Sequence, residues 1–386
     1  MFRAMRRASS VALLILANAI TIFAQTPQQP RDARLVSPEV AADHRVTFRF
    51  RGPNCKAVAV FVRGMQRPIS MQKDEQGVWS VTTEPLEPDF YIYSIIADGV
   101  PLVDPSNVLV TASLGFPAST LHVPGPPSLL WEINDVAHCQ IHHHLYKSAV
   151  VGDQRNFFVY TPPGYDPSAK TRYPVLYLLH GANFDATSWI GVGFANVILD
   201  NLIAQQKAVP MVVVMPLGYG FPVSDVIALG GGGRDSDIPP AIRDQNFAKF
   251  STALLQEVMP QVESSYAVIK DRKAHAIVGS SMGGTESLLT GLNNLDKFAW
   301  IGGLSSGGLP EEFDKDFPGL DAKANDQLRL LWIACGTEDP FLALNRGLRA
   351  WLSSKGVRHT DVEVPGAHTM MVHRRNFAKF ASLLFR

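Results

Sequence analysis

The sequence predicts a doubly wound α/β domain on a mostly parallel sheet, preceded by a small all-β, immunoglobulin-like sandwich, and three observations carry that prediction. From Tyr160 onward, short and almost wholly apolar runs such as YPVLYLL and MVVVMPL alternate with helical patterns, as strands buried on both faces of a parallel sheet do. Over about 35–121 only strand signals appear, broken by Gly, Pro and Asp. Between the two regimes lies the proline-rich HVPGPPSLLW, residues 122–131, a domain boundary by composition. The 386 residues, 46% of them hydrophobic, suffice for a large core, and 35 basic against 35 acidic residues indicate no basic face for nucleic acid.

Taken in order, residues 1–24 read as a secretory signal peptide. Arg3, Arg6 and Arg7 precede an apolar run over 11–23, which is too short for a permanent membrane span, and Ala24 offers a cleavage site. The expected location is secreted or periplasmic. Residues 25–33 are a polar linker. In the sandwich domain, assigned to 25–125, Val46, Phe48 and Phe50 alternate with Thr47 and Arg49. Val58, Val60 and Val62 follow the Gly52-Pro53-Asn54 turn, residues 78–81 follow Gly77, and Tyr91, Tyr93 and Ile95 precede the Asp98-Gly99 turn. The three cysteines, Cys55, Cys139 and Cys335, cannot all pair internally; Cys335 lies in an apolar strand, and a Cys55–Cys139 bridge stays open.

The α/β domain, assigned to 126–386, opens with His138, His142, His143 and His144. Three consecutive imidazoles alternate faces on a strand, and no cysteine or carboxylate spacing accompanies them, so they read as a partly exposed strand and not as a metal site. Buried strands are expected at 173–179, 211–217, 300–304 and 328–334. Helices are expected at 189–205 and through Phe247, Phe250, Leu254 and Val258 to a stop near Pro260. The glycines at 230–233, with Arg234 and Asp235, lack both the Lys-Ser or Lys-Thr and the preceding strand of a phosphate loop. They read as a loop near the carboxyl edge of the sheet.

The chemistry concentrates in AHAIVGSSMGG, residues 274–284. G-x-S-x-G stands there as Gly279, Ser280, Ser281, Met282 and Gly283, after an apolar strand and before helical spacing at Leu288, Leu289 and Leu292. A strand that turns sharply into a helix needs glycines beside the serine and leaves the hydroxyl at its tip. That hydroxyl is a weak nucleophile at neutral pH, so a base and an orienting acid are required. His368 in VEVPGAHTM and Asp339 in LRLLWIACGTEDP each follow a short apolar strand; Glu338 competes for the acid role, and His359 and His373 for that of the base. The order Ser281, Asp339, His368 is that of α/β-hydrolases, whose sites lie at the carboxyl ends of the strands. Two backbone N–H groups are expected to hold the oxyanion: Met282, after the nucleophile, and Ala182, in the turn His180-Gly181-Ala182-Asn183. Phe184, Trp189 and Phe341 fall in connections near the site, where they either stack on an aromatic acyl group or sugar ring or simply pack.

YPVLYLLHGAN, LIAQQKAVPMVVVMPLGYG, LLQEVMPQVESSY, DRKAHAIVGSSMGG, DKFAWIGGLSS, WIACGTEDP and PGAHTMMVHRRNF resemble successive blocks of the esterase D and feruloyl esterase family, over about 155–386. The resemblance implies Ser281 as nucleophile, Asp339 as acid and His368 as base. Where many members read H-T-W-x-x-W-R, this chain has Met370 and His373 in place of both tryptophans, a change aimed at the pocket and not at the mechanism. In the sandwich, FYIYSIIADGVPLVDPSN resembles the early-set domains at the front of isoamylases and glycogen-branching enzymes; with Trp79 alone inside it, sugar binding is not carried over.

The expectation is an exported serine carboxylesterase that forms an acyl-enzyme, acts on a small-molecule or polysaccharide ester, and needs no metal or organic cofactor. The resemblance implies feruloyl or acetyl esters of plant cell-wall polysaccharide. Alternatives are hydrolysis of a siderophore ester, acyl transfer to a sugar, and a non-catalytic glycan-binding protein.

Overall fold

The computed structural model describes residues 35–111, 113–116, 118–228, 239–309 and 312–386. The signal-peptide and linker readings, and the glycine-rich run at 230–235, lie outside them.

The alternating apolar pattern of the first hundred residues folds as strands β1 (Glu39–Val40), β2 (Val46–Arg51), β3 (Val58–Val62), β4 (Ile69–Ser70), β5 (Gln72–Lys73), β6 (Val78–Thr82), β7 (Asp89–Ala97), β8 (Val100–Leu102) and β9 (Ser119–Val123). They form two sheets, one ordered β1-β2-β6-β5 and the other β4-β3-β7-β8, with β9 also paired to β7. Val46, Phe48 and Phe50 of β2 point inward against Val58, Val60 and Val62 of β3, as the period of two requires. Trp79 belongs to this core, and its indole N–H donates to the Gly52 carbonyl at 2.8 Å, so it presents no exposed platform.

The α/β domain is built on an eight-stranded mixed sheet: β10 (Gln140–Lys147), β11 (Gln154–Thr161), β12 (Val175–Leu179), β13 (Val212–Pro216), β14 (His275–Ser280), β15 (Trp300–Leu304), β16 (Leu330–Gly336) and β17 (Thr360–Val364). Their spatial order is β10-β11-β13-β12-β14-β15-β16-β17. β10 and β11 enter antiparallel, and all neighbours from β13 to β17 run parallel. Within β12 the side chains divide by parity. Leu176 and Leu178 join the apolar layer under helices α2 (Ala195–Ala204) and α9 (Met370–Leu383), and Tyr177 and Leu179 join the layer under α4 (Pro240–Ala253) and α8 (Leu342–Ser354). Burial on both faces is why these strands carry no polar alternation, and the short helices α3 (Val223–Ala228) and α7 (Phe313–Asp316) lie in the connections between them.

His142, His143 and His144 lie on the edge strand β10. There His143 stacks on Phe158 at 4.3 Å and His144 on Phe157 at 4.7 Å, ring centroid to ring centroid. Cys55, Cys139 and Cys335 are all free thiols.

Two helix expectations need correction. The helix expected at 189–205 is two helices, α1 (Ser188–Gly191) and α2, separated by Gly193 and by Phe194 at a left-handed φ of 53°. Arg374 of α9 donates to the Val192 and Gly193 carbonyls, so a tertiary contact occupies acceptors that a continuous helix would need for itself. Conversely, Pro260 does not end the helix that begins at α4. The backbone widens into a π-turn at Leu254–Val258 and continues as α5 (Met259–Ser265), an adjustment that accommodates the proline ring and its missing N–H.

Candidate active site

Strand β14 delivers Ser281 into the turn that opens helix α6 (Met282–Leu292). Ser281 is held at φ 56° and ψ −121°, a conformation that costs a non-glycine residue about 1–3 kcal/mol and survives only where the surroundings enforce it. They do: the Ser281 N–H donates to the Leu304 carbonyl at 2.9 Å, and its own carbonyl accepts from Gly307 at 3.1 Å. The flanking glycines are steric necessities. A Cβ on Gly279 would stand 2.3 Å from the Gly283 carbonyl oxygen, and one on Gly283 would stand 2.5 Å from that of His180.

The loops after β16 and β17 bring two more side chains to the same edge. His368 places Nε2 2.9 Å from Ser281 Oγ and Nδ1 2.8 Å from Asp339 Oδ2. The other oxygen of Asp339 accepts the Phe341 N–H at 2.9 Å. Burial alone would raise the Asp339 carboxyl; the hydrogen bond and charge of His368, with the Phe341 N–H, outweigh it and hold the group below the usual carboxylate range. The His368 ring lies between Phe341, at 5.1 Å, and His373, at 4.9 Å, both edge to face. Glu338 lines the same cleft without touching the imidazole in this way, and His359 instead bonds the Val357 carbonyl at 2.8 Å.

The turn after β12 passes beside the serine. A Cβ on Gly181 would come within 3.2 Å of the Ser281 Cβ, and Ala182 lines the cleft next to it. His180 braces this turn: its Nδ1 donates to the Gly181 carbonyl, and its Nε2 accepts the Gly218 N–H, both at 2.8 Å. Complete burial pushes His180 down to about 4, so it stays neutral and can accept. Met282 is the first residue of α6, so no carbonyl of its own helix reaches its amide.

Ser281 and His368 open into a cleft of about 1020 Å³, within the range of small-ligand sites. The sandwich forms one wall of it, through Arg63, Met65, Tyr91 and Phe116 among others. Phe184 and Phe341 also line it.

The residues from 148 to 380 match the model of the Esterase family, described as "Putative esterase". The chain belongs to this esterase family. It is 30% identical over 357 residues to an endo-1,4-beta-xylanase/feruloyl esterase of Xylanibacter ruminicola, covering 90% of this chain and 46% of that protein. It is 23% identical over 279 residues to an esterase of Mycobacterium tuberculosis, covering 58% of this chain and 55% of that protein. The chain thus spans about half the length of the curated relatives it matches. Among solved structures, a ferulic acid esterase from the anaerobic fungus Anaeromyces mucronatus superposes with a TM-score of 0.57 at 23% identity, over 68% of this chain and 96% of that one. The enterobactin esterase of Shigella flexneri superposes at 0.64 and 20% identity, over 88% and 92%. At these identities the likeness shows the fold.

In this member of the esterase family Trp189 takes the packing alternative and not the pocket one. Trp189 does not line the cleft: it is 1% exposed, packs against Phe377, and donates its indole N–H to the Leu179 carbonyl at 2.8 Å. Its large apolar face gains more from burial in the layer against the sheet than from a wet cleft. Arg63 and Phe116 escape a reading of the sequence, as does the bracing role of His180, since no periodicity or motif marks a residue that reaches the site from the sandwich or supports its turn from below. Among the described residues, Asp339, His368 and His373 are the group whose ligand atoms come within 4.8 Å of one another. Two of those three are already engaged with each other, Asp339 on His368 Nδ1 and His368 through Nε2 on Ser281. No helix among the described residues is long and apolar enough to cross a membrane.

Proposed function

We propose that the chain is an exported serine carboxylesterase, and that its substrates are feruloyl or acetyl esters of plant cell-wall polysaccharide. The observation that carries the reading is the continuous contact from Asp339 through His368 to the strained Ser281. His368 takes the Ser281 proton as Oγ attacks the ester carbonyl, and the alcohol leaves with that proton. The N–H groups of Met282 and Ala182 hold the oxyanion. Water then repeats the attack on the acyl-enzyme, and Asp339 keeps the Nδ1–H tautomer that leaves Nε2 free to act as base. Phe184 and Phe341 are the side chains on which an aromatic acyl group would stack. The relative from X. ruminicola, named a feruloyl esterase, supports the choice of acyl group, and residues 1–24 support export.

A siderophore ester is the second reading, favoured by the superposition with the enterobactin esterase, which takes in 88% of this chain. Acyl transfer to a sugar and inert glycan binding remain the rivals in kind. Turnover of 4-nitrophenyl acetate by the full chain, reduced to background in Ser281→Ala, separates an enzyme from a binder; equal turnover by the variant would overturn the proposal. Product analysis with methyl ferulate, acetylated xylan and a catecholate ester then chooses among the substrates.

A further inference from the structure

We infer that the sandwich supplies the cleft with a subsite for a carboxylate carried by the ester, with Arg63 as its cation. This deepens the esterase reading and rests on it. Arg63 follows β3 in the turn to β4 and lines the cleft into which Ser281 and His368 open. Its guanidinium carbon lies 3.8 Å above the centre of the Phe116 ring, and Phe116 meets Phe184 edge to face at 6.0 Å. Phe184 belongs to the same turn as Ala182, so a row of three side chains runs from beside the serine to the cation. The row is pinned. The Leu114 N–H and the Ser113 hydroxyl both donate to the Asn183 carbonyl, at 2.8 and 3.0 Å, tying the segment that carries Phe116 to the turn beside Ser281.

A guanidinium stacked by its face keeps its fork of N–H donors in the plane, where it matches a carboxylate. Among the described residues no carboxylate forms an ion pair with Arg63. Glu87, an acid on the same wall, is held by Arg375 at 3.0 Å. Neighbouring protein atoms lower the Arg63 pKa from the ordinary arginine range, although the residue itself stays exposed to solvent. Arg63 is solvent-exposed and rests on Phe116, so its charge is tolerated without a carboxylate, and its donors stand open to an anion that enters the cleft. Glu338 lines the cleft from the α/β side, where it penalises negative charge and so directs a substrate anion toward the sandwich.

The carboxylate can belong to the acyl part of the ester or to its alcohol, and paired substrates separate the two. In the first arm, kcat/KM of the full chain is measured for 4-nitrophenyl hemisuccinate and for its neutral methyl ester. In the second arm it is measured for 4-acetoxybenzoate and for its methyl ester. In Arg63→Gln the charged-to-neutral ratio falls at least about tenfold in one arm, the loss expected for a hydrogen-bonded charge pair. Glu338→Gln raises the same ratio, and Arg67→Gln, on the same turn, leaves it where it was. The neutral partner in each pair corrects for any general damage. A ratio within about twofold of the parent in both arms overturns the subsite. Binding of each pair to Ser281→Ala, with and without Arg63→Gln, gives the same ratio by calorimetry. If the parent turns over no ester at all, the esterase reading fails, and the binding ratio still decides the subsite.

Discussion

Arg374 and Asp89 form a buried ion pair that joins the sandwich to the layers on the large sheet: the arginine comes from the helix after His368, the aspartate from strand β7, and neither side chain is more than 1% exposed. Arg374 spends its other donors on the Val192 and Gly193 carbonyls, and Arg375 adds a bond to the second oxygen of Asp89 at 3.1 Å. Burial raises the Asp89 carboxyl against the pull of Arg374, as expected of a charge that depends on its partner. The sandwich is thus fastened to the helix that begins at the base of the site.

Removing one partner strands the other charge in the interior. Asp89→Ala is expected to cost about 3–5 kcal/mol, read as a lower urea midpoint at unchanged slope. A loss below about 1 kcal/mol would mean that the pair contributes no more than a surface bridge does.

The role of Asp339 is tested by a substitution that preserves shape. Asp339→Asn removes the charge that faces His368 Nδ1, and under the proposed mechanism kcat on a neutral ester is expected to fall by about ten thousandfold, the scale of the same change in serine hydrolases. Melting temperature serves as the control for folding. Retention of a tenth of the parent rate would reassign the acid.

Glu286 of α6 is buried, both of its oxygens lack a partner, and burial raises its pKa well above 4.5. Above that value the unfolded chain releases a proton that the folded chain retains, so this group lowers stability increasingly as pH rises, until it ionises in the fold as well. The stability of Glu286→Gln relative to the parent, read from urea midpoints, is expected to rise as pH climbs above 4.5, at up to about 1.4 kcal/mol per pH unit. A difference independent of pH would contradict a neutral carboxyl.

His180 and His373 act on the acid side. Burial lowers them from 6.5 to about 4 and about 3, so both are neutral when folded and stabilise the protein fully above pH 6.5. That contribution is lost as pH falls from 6.5 through those values, because the unfolded imidazoles take up protons first. Thermal melts from pH 8 to 4 should show the decline, and His373→Phe should lessen it, since His373 Nε2 has no hydrogen-bond partner to lose. An unchanged profile in that variant would exclude His373 as a contributor.

Much of this molecule is local in origin and so is legible in its sequence. Apolar runs locate strands because a strand buried on both faces admits no polar residue, and β15 falls at the expected 300–304. The elbow is equally local: Gly279 and Gly283 are required by backbone atoms that approach within 2.5 Å of where a side chain would begin. The errors lie where a distant group overrides propensity, as when Arg374 takes the carbonyls that would have continued α1, or when a π-turn carries the chain past Pro260.

From its residues alone the chain declared the alternation of strand and helix, the serine on its turn, and an acid and a histidine at later strand ends, because each depends on neighbours within a few positions. Only the folded arrangement decided that Asp339 and not Glu338 meets the imidazole, that Trp189 turns into the core, and that Arg63 and Phe116 of the sandwich face the serine across a shared cleft. Those outcomes depend on which surfaces touch across hundreds of residues. No periodicity records that, since such contacts are selected by packing and desolvation in three dimensions.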